Sequence, residues 1–106
     1  MNINPTVGII IRLLNGRILF LSKGEYSEKD NCFEAKSKDI AEIMFQSTGD
    51  SSKTLNLGVL FLNNLPYNPK NIKILKTAIT TIETIDSESI VYKAVLQQRS
   101  GLVFPK

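Results

Sequence analysis

Apolar residues crowd into two runs, Val7 to Leu14 and Arg17 to Leu21, separated by Asn15-Gly16. Asn-Gly between two such runs is a strong hairpin signal, because both residues tolerate the positive φ of a type I′ turn, whose twist matches that of the flanking strands. The pattern therefore predicts a first strand over 7–14 and a second over about 17–23, with a bend or bulge at Lys23-Gly24. Ile9, Ile10, Ile11, Leu13 and Leu14 leave neither face of the first strand polar. A strand of that kind must be covered on both sides, and a small, strongly curled barrel supplies the cover.

Downstream, the pattern alternates between polar turns and apolar runs. Glu25 to Asn31 is polar and reads as an exposed loop, with Asp30 and Asn31 able to cap their own backbone. Cys32, Phe33 and Ala35 open a third strand. In the following KSKDIAEIMFQ segment, Ile40, Ile43 and Met44 fit helical spacing, but a hairpin continuing from the second strand favours a long strand instead. Ser47 to Lys53 is a loop dense in Ser, Gly and Asp. Leu55 to Asn63 gives a fourth strand, with Leu55, Leu57, Val59 and Phe61 on one face and Leu60 and Leu62 on the other. Asn63 to Asn71 reads as a turn or bulged insertion, Ile72 and Ile74 resume extended structure, and Leu75 to Ala78 forms a tight turn. Ile79 to Ile85 is a Thr-rich fifth strand. Asp86 or Ser87 then caps a helix whose apolar stripe is Ile90, Val91, Ala94 and Val95, and Gly101 stops it. The expected fold is thus mainly β, a strongly bent five-stranded barrel over about 7–85 with a C-terminal helix over about 87–99 and an apolar docking tail over 100–106. An open OB-type barrel is the nearest rival.

Composition narrows the class. At 106 residues the chain makes one domain, near the size at which partner subunits help to complete a core. Its 42% hydrophobic and 22% charged residues exclude a disordered chain. The apolar runs, broken by Arg12 and Arg17, are far short of the roughly 20 residues of a membrane span. The first eight residues carry no basic segment and no cleavage signal, so a cytoplasmic protein is expected. Cys32 stands alone, which removes an internal disulfide and a cysteine metal cluster and leaves a small buried apolar residue. The complete lack of histidine removes the usual general base, the commonest metal ligand and every Ser-His or Cys-His arrangement. The loop acids Glu25, Glu28 and Asp30 read as solvation, and no glycine-rich phosphate loop is present. A non-catalytic protein without metal or cofactor follows.

A net charge of +3 says less than its placement. Lys53, Lys70, Lys73 and Lys76 lie between Ser51 and Ile82 with no acid among them, whereas the acids gather at Glu25, Glu28, Asp30 and Glu34 and again at Glu83, Asp86 and Glu88. A basic stretch with Tyr67 and several Asn and Thr donors suits phosphates and a stacked base; the same lysines equally make a solvated face.

Five strands in this order, with a bent hairpin first and a short turn between the last two, resemble the Sm-like fold. Gly16-Arg17 looks like the glycine that opens the first Sm motif, and Asn31 falls at the spacing where Sm proteins place a base-contacting asparagine. Leu21 stands where that motif has its second glycine, Ser27 where it has an acid, and Lys29 where an aromatic residue or histidine stacks on a base. LKTAITTI, Leu75 to Ile82, is similar to the second Sm motif of the bacterial host-factor RNA chaperone, with Lys76 at its lysine and Thr77 at its histidine. A C-terminal helix in place of the usual N-terminal one also resembles small Sm-like proteins of marine phage and metagenomic origin. The resemblance implies a homo-oligomeric ring that binds single-stranded RNA, or DNA, around its pore without catalysis. In such a ring the fourth strand of one subunit pairs with the fifth strand of the next, which would cover the uncharged edge from Thr54 to Asn63. It also implies roles. Lys76 would meet phosphate and Asn31 a base edge, with Lys29 and Thr77 assisting and Ser27, Tyr67, Lys70 and Lys73 as additional contacts. The alternative is a ring that serves only as a structural or assembly scaffold.

Overall fold

The computed structural model describes residues 5–47 and 55–100 of the chain. Strands β1 (Thr6–Leu13) and β2 (Ile18–Ser22) form the expected hairpin, with Ile10 opposite Phe20 and Arg12 opposite Ile18. The turn is of a different type from the one the sequence predicts, because of the Asn-Gly pair only Gly16 takes a positive φ, at 90°. Gly16 N–H donates to the Leu13 carbonyl at 2.9 Å and Leu13 N–H to the Arg17 carbonyl at 2.9 Å. That is a three-residue loop, a type I turn followed by a left-handed glycine. Asn15 contributes through its side chain instead, its Oδ1 accepting the Arg17 N–H at 2.9 Å.

The remaining elements are β3 (Tyr26–Glu28), β4 (Cys32–Lys36), β5 (Ile40–Ser47), β6 (Leu55–Phe61), β7 (Asn71–Leu75), β8 (Ile79–Asp86) and the helix α1 (Ile90–Arg99). They build two antiparallel sheets, one ordered β6-β5-β2-β1-β8 and the other β3-β4-β7. The fold is mainly β with a C-terminal helix, as expected, but its strands number eight in two sheets where a strongly bent barrel of five is expected, and no closed barrel is found among the described residues. Three interruptions produce the difference. Gly24, at φ 85°, separates β2 from β3. A 3₁₀ turn at Ser37–Asp39 breaks what the sequence suggests is one long strand into β4 and β5. A second, Leu62–Asn64, ends β6 before the proline-bearing segment that leads to β7. Tyr26–Glu28, expected to be loop, pairs with Phe33–Ala35, because the chain past Gly24 is turned alongside β4.

The tight turn after Leu75 is present as the 3₁₀ turn Lys76–Ala78. The helix starts later than Asp86 or Ser87 suggest. Asp86 still pairs with Thr6, and its carboxylate accepts the Glu88 N–H at 2.9 Å, so the cap falls to Ser89, whose hydroxyl accepts the Val91 N–H at 3.1 Å. The buried face also differs from the expected stripe. Ile90 is exposed, while Val95 is buried and Val91 and Tyr92 pack against the sheet. The loop over 48–53, the stop at Gly101 and the apolar tail lie outside the described residues.

Both faces of β1 are covered, as its composition demands. Ile9 and Ile11 join Leu19, Leu21, Phe33, Ile40, Leu62 and Ile74 on one side. Ile10 joins Phe20, Ala41, Ile43, Phe61 and Val95 on the other, where α1 lies. Each buried Ile, Leu, Val or Phe among them contributes about 1.5–3 kcal/mol. Gly8 is required here because a Cβ would collide with the Leu21 carbonyl oxygen and the Phe20 ring. Cys32 is buried, as its lone occurrence suggests. Among the described residues no helix is long and apolar enough to cross a membrane.

Candidate nucleic-acid interface

The two loops singled out by sequence, after β3 and after β7, are tied together by the backbone. Lys76 N–H donates to the Asn31 carbonyl at 2.9 Å, next to the ladder step that places Cys32 opposite Leu75. The Lys29–Asn31 turn is closed by Lys29 N–H donating to the Cys32 carbonyl at 2.8 Å. Asn31 is exposed, and Thr77, adjacent to Lys76 in the turn before β8, is exposed beside it in sequence. The backbone thus brings positions 31 and 76 together at the surface.

The electrostatics of that point differ from the expectation. Lys76 Nζ lies 2.8 Å from Glu28 Oε2 and 5.4 Å from the centre of the Phe33 ring. Lys29 Nζ lies 2.8 Å from Glu34 Oε1. The hydrogen bond and charge of Lys29 hold the Glu34 carboxyl below the ordinary glutamate range, and Glu34 in turn raises the Lys29 ammonium. Lys73 sits opposite Glu34 in the β4–β7 register and adds to the lowering. Ser27 faces Glu34 in the β3–β4 register. The cations of this region are accompanied by acids, because β3 and β4 bring back the carboxylates that the sequence keeps apart from the lysines.

Tyr67 and Lys70 do not join the loops. Tyr67 is exposed and lines an apolar cavity of about 370 Å³ with Leu13, Leu65, Ile72 and Lys73. Lys70 lies against the 3₁₀ turn at Ser37–Asp39, its carbonyl accepting the Ser37 N–H at 2.8 Å. This arrangement places it with Lys36 and Lys38. Those two residues escape the sequence reading, since in the chain they are flanked by Glu34 and Asp39 and only the pairing of β4 with β7 brings Lys70 to them. Lys53 lies outside the described residues. Among the described residues no group of three or more His, Cys, Asp or Glu side chains is arranged to hold a metal.

The five-stranded sheet ends in β6 on one side and β8 on the other. Residues Thr80 to Thr84 of β8 are exposed in succession, Ile82 among them. No protein-family model matches the chain, and no curated protein matches it in sequence.

Proposed function

We propose that the protein is a non-catalytic, Sm-like module that assembles edge to edge into a homo-oligomeric ring and binds single-stranded RNA or DNA. The observation that carries this reading is the union of the Asn31 and Lys76 loops by a direct backbone hydrogen bond, at the end of β7 from which the free edge β8 departs. A base-reading amide and a phosphate-seeking ammonium then recur once per subunit, and repetition around a ring multiplies a weak contact through effective concentration. The Glu28 partner does not block that role. Its side chain is 59% exposed, and an exposed ion pair contributes only about 0–1 kcal/mol, so a phosphate can replace it. Edge pairing of β6 with a neighbour's β8 is supported by the exposed run of β8 and by the hazard of two bare edges on one sheet.

The same ion pairs favour a second reading, a ring used as a scaffold, because Lys29 and Lys76 already have acidic partners. Light scattering and fluorescence anisotropy separate the two. The leading reading expects an oligomer that binds labelled oligonucleotides at low salt, weaker binding with a flatter salt dependence for Lys76→Ala, and altered base preference for Asn31→Ala. An oligomer with no affinity for RNA or single-stranded DNA leaves the scaffold, and a monomer at micromolar concentration removes the ring.

A further inference from the structure

Among the described residues, Lys36, Lys38 and Lys70 have no carboxylate within salt-bridge distance, in contrast to Lys29 and Lys76. The three converge on one cleft of about 370 Å³, between the 3₁₀ turn Ser37–Asp39 and the segment leading into β7. Its other polar side chains include Asn63, Asn68 and Asn71, and no acid lines it. The neighbouring acids Glu25, Glu34 and Asp39 line an adjoining cavity on the side of β3, whose lining Lys36, Lys38 and Asn71 share, so that of the three lysines only Lys70 belongs to the cleft alone.

The walls of the cleft are fastened to each other. Ser37, 3% exposed, donates its hydroxyl to the Pro69 carbonyl at 2.6 Å and its N–H to the Lys70 carbonyl at 2.8 Å. Lys36 lies opposite Asn71 in the β4–β7 ladder. Asn68 adopts a left-handed φ of 51°, which asparagine tolerates better than most residues, and its N–H is held by the Leu65 carbonyl at 2.9 Å. The backbone that carries the three lysines is therefore fixed around a space lined by carboxamides, and cations gathered at one cleft favour an anion there.

We propose that this cleft is a second nucleic-acid contact, separate from the Asn31 and Lys76 loops, that tracks the phosphodiester backbone of a single strand; it rests on the nucleic-acid reading above. Two features select a polyanionic strand over a small anion. Lys38 and Asn63 also line an adjoining cavity of about 200 Å³ with Gln98 and Arg99, so cations continue from one cavity into the next. The carboxamides both donate and accept, which suits base edges as well as phosphate oxygens.

Fluorescence anisotropy with labelled oligothymidylate and oligouridylate, run over a series of salt concentrations, tests the proposal. The variant Lys36→Gln/Lys38→Gln/Lys70→Gln should bind about tenfold or more weakly at low salt, with a log–log salt slope shallower by about 2, as expected for three lost contacts on a single strand. A charge-matched variant, Arg12→Gln/Lys23→Gln/Lys93→Gln, should keep a slope close to wild type. Circular dichroism and light scattering check fold and assembly. If the triple variant fails either, the exposed Lys38→Gln alone carries the test, with a slope change of about 0.7. Wild-type affinity and slope in the cleft variant, or an equal loss in the charge-matched one, overturns the cleft while Lys76→Ala still reports on the loops. A wild-type protein that binds neither oligonucleotide at low salt overturns the nucleic-acid reading and the cleft with it.

Discussion

The Asn31 and Lys76 loops and the Lys36, Lys38 and Lys70 cleft offer the same kind of cation in opposite surroundings. In the loops each lysine faces a carboxylate delivered by β3 or β4, at 2.8 Å in both pairs. In the cleft the lysines share the lining with a set of asparagines, and none of them has a carboxylate within salt-bridge distance among the described residues. Both regions hang from β4, whose first residues pair with the end of β7 and whose last, Lys36, pairs with its start. Charge clustering along a chain is therefore a poor guide to charge on a surface. Lys70, Lys73 and Lys76 fall within one short basic stretch, yet the fold assigns the last two to acidic neighbours and sends the first to a cleft that no acid lines.

The largest effect is expected at Phe33. It is buried against Tyr26, with ring centroids 5.9 Å apart, and lies beneath Lys76. Phe33→Ala should cost about 3–5 kcal/mol in chemical denaturation, in the range of large aromatic truncations, and should weaken the loop contact with the fold. A loss below 1 kcal/mol would mean that β4 is not anchored as described.

Ser37→Ala attacks the cleft alone. Removing the hydroxyl that binds the Pro69 carbonyl should cost about 1 kcal/mol, loosen the wall that carries Lys70, and lower oligonucleotide affinity without altering base preference. Glu28→Gln does the reverse, freeing Lys76. Stability should change by less than about 1 kcal/mol because the pair is exposed, while the salt dependence of oligonucleotide binding steepens. An unchanged slope would show that Lys76 does not meet phosphate.

The smallest effect is a pH dependence from Lys29 and Glu34. The lysine holds the Glu34 carboxyl below its unfolded value, so that contribution is complete above the ordinary glutamate range and lost as pH falls through the lowered folded value. Glu34 raises the Lys29 ammonium, so the same pair's contribution is present below the unfolded lysine value and lost as pH rises through the raised folded one. The difference in Tm between wild type and Glu34→Gln should be constant near neutral pH and shrink toward both extremes. A difference independent of pH would refute the pair.

Much of the β architecture was legible in local residue chemistry. The two apolar faces of β1, the Asn15-Gly16 turn, the extended Ile72 and Ile74 and the tight turn after Leu75 all follow from patterns that act within a few residues. What escaped depends on tertiary geometry. A 3₁₀ turn at Ser37–Asp39 has no apolar signature, because its one buried residue is a serine whose hydroxyl bonds a carbonyl 32 positions away in the chain. The helix start moved because Asp86 is held in the ladder with Thr6, a partner 80 positions distant, since 86 − 6 = 80. Of the site, Asn31 and Lys76 were singled out through the resemblance, whereas their backbone contact, the acids at Lys29 and Lys76 and the cleft around Lys36 required the β3–β4–β7 pairing.

Amide-resolved NMR of the deuterated protein, titrated with oligothymidylate and with oligouridylate, reports the loops and the cleft in one experiment. The expected result is saturable shifts at Lys29, Asn31, Lys76 and Thr77 together with shifts at Lys36, Lys38, Lys70 and Asn71, all weakening as salt is raised. Saturable binding that leaves both sets of amides unmoved would contradict the account.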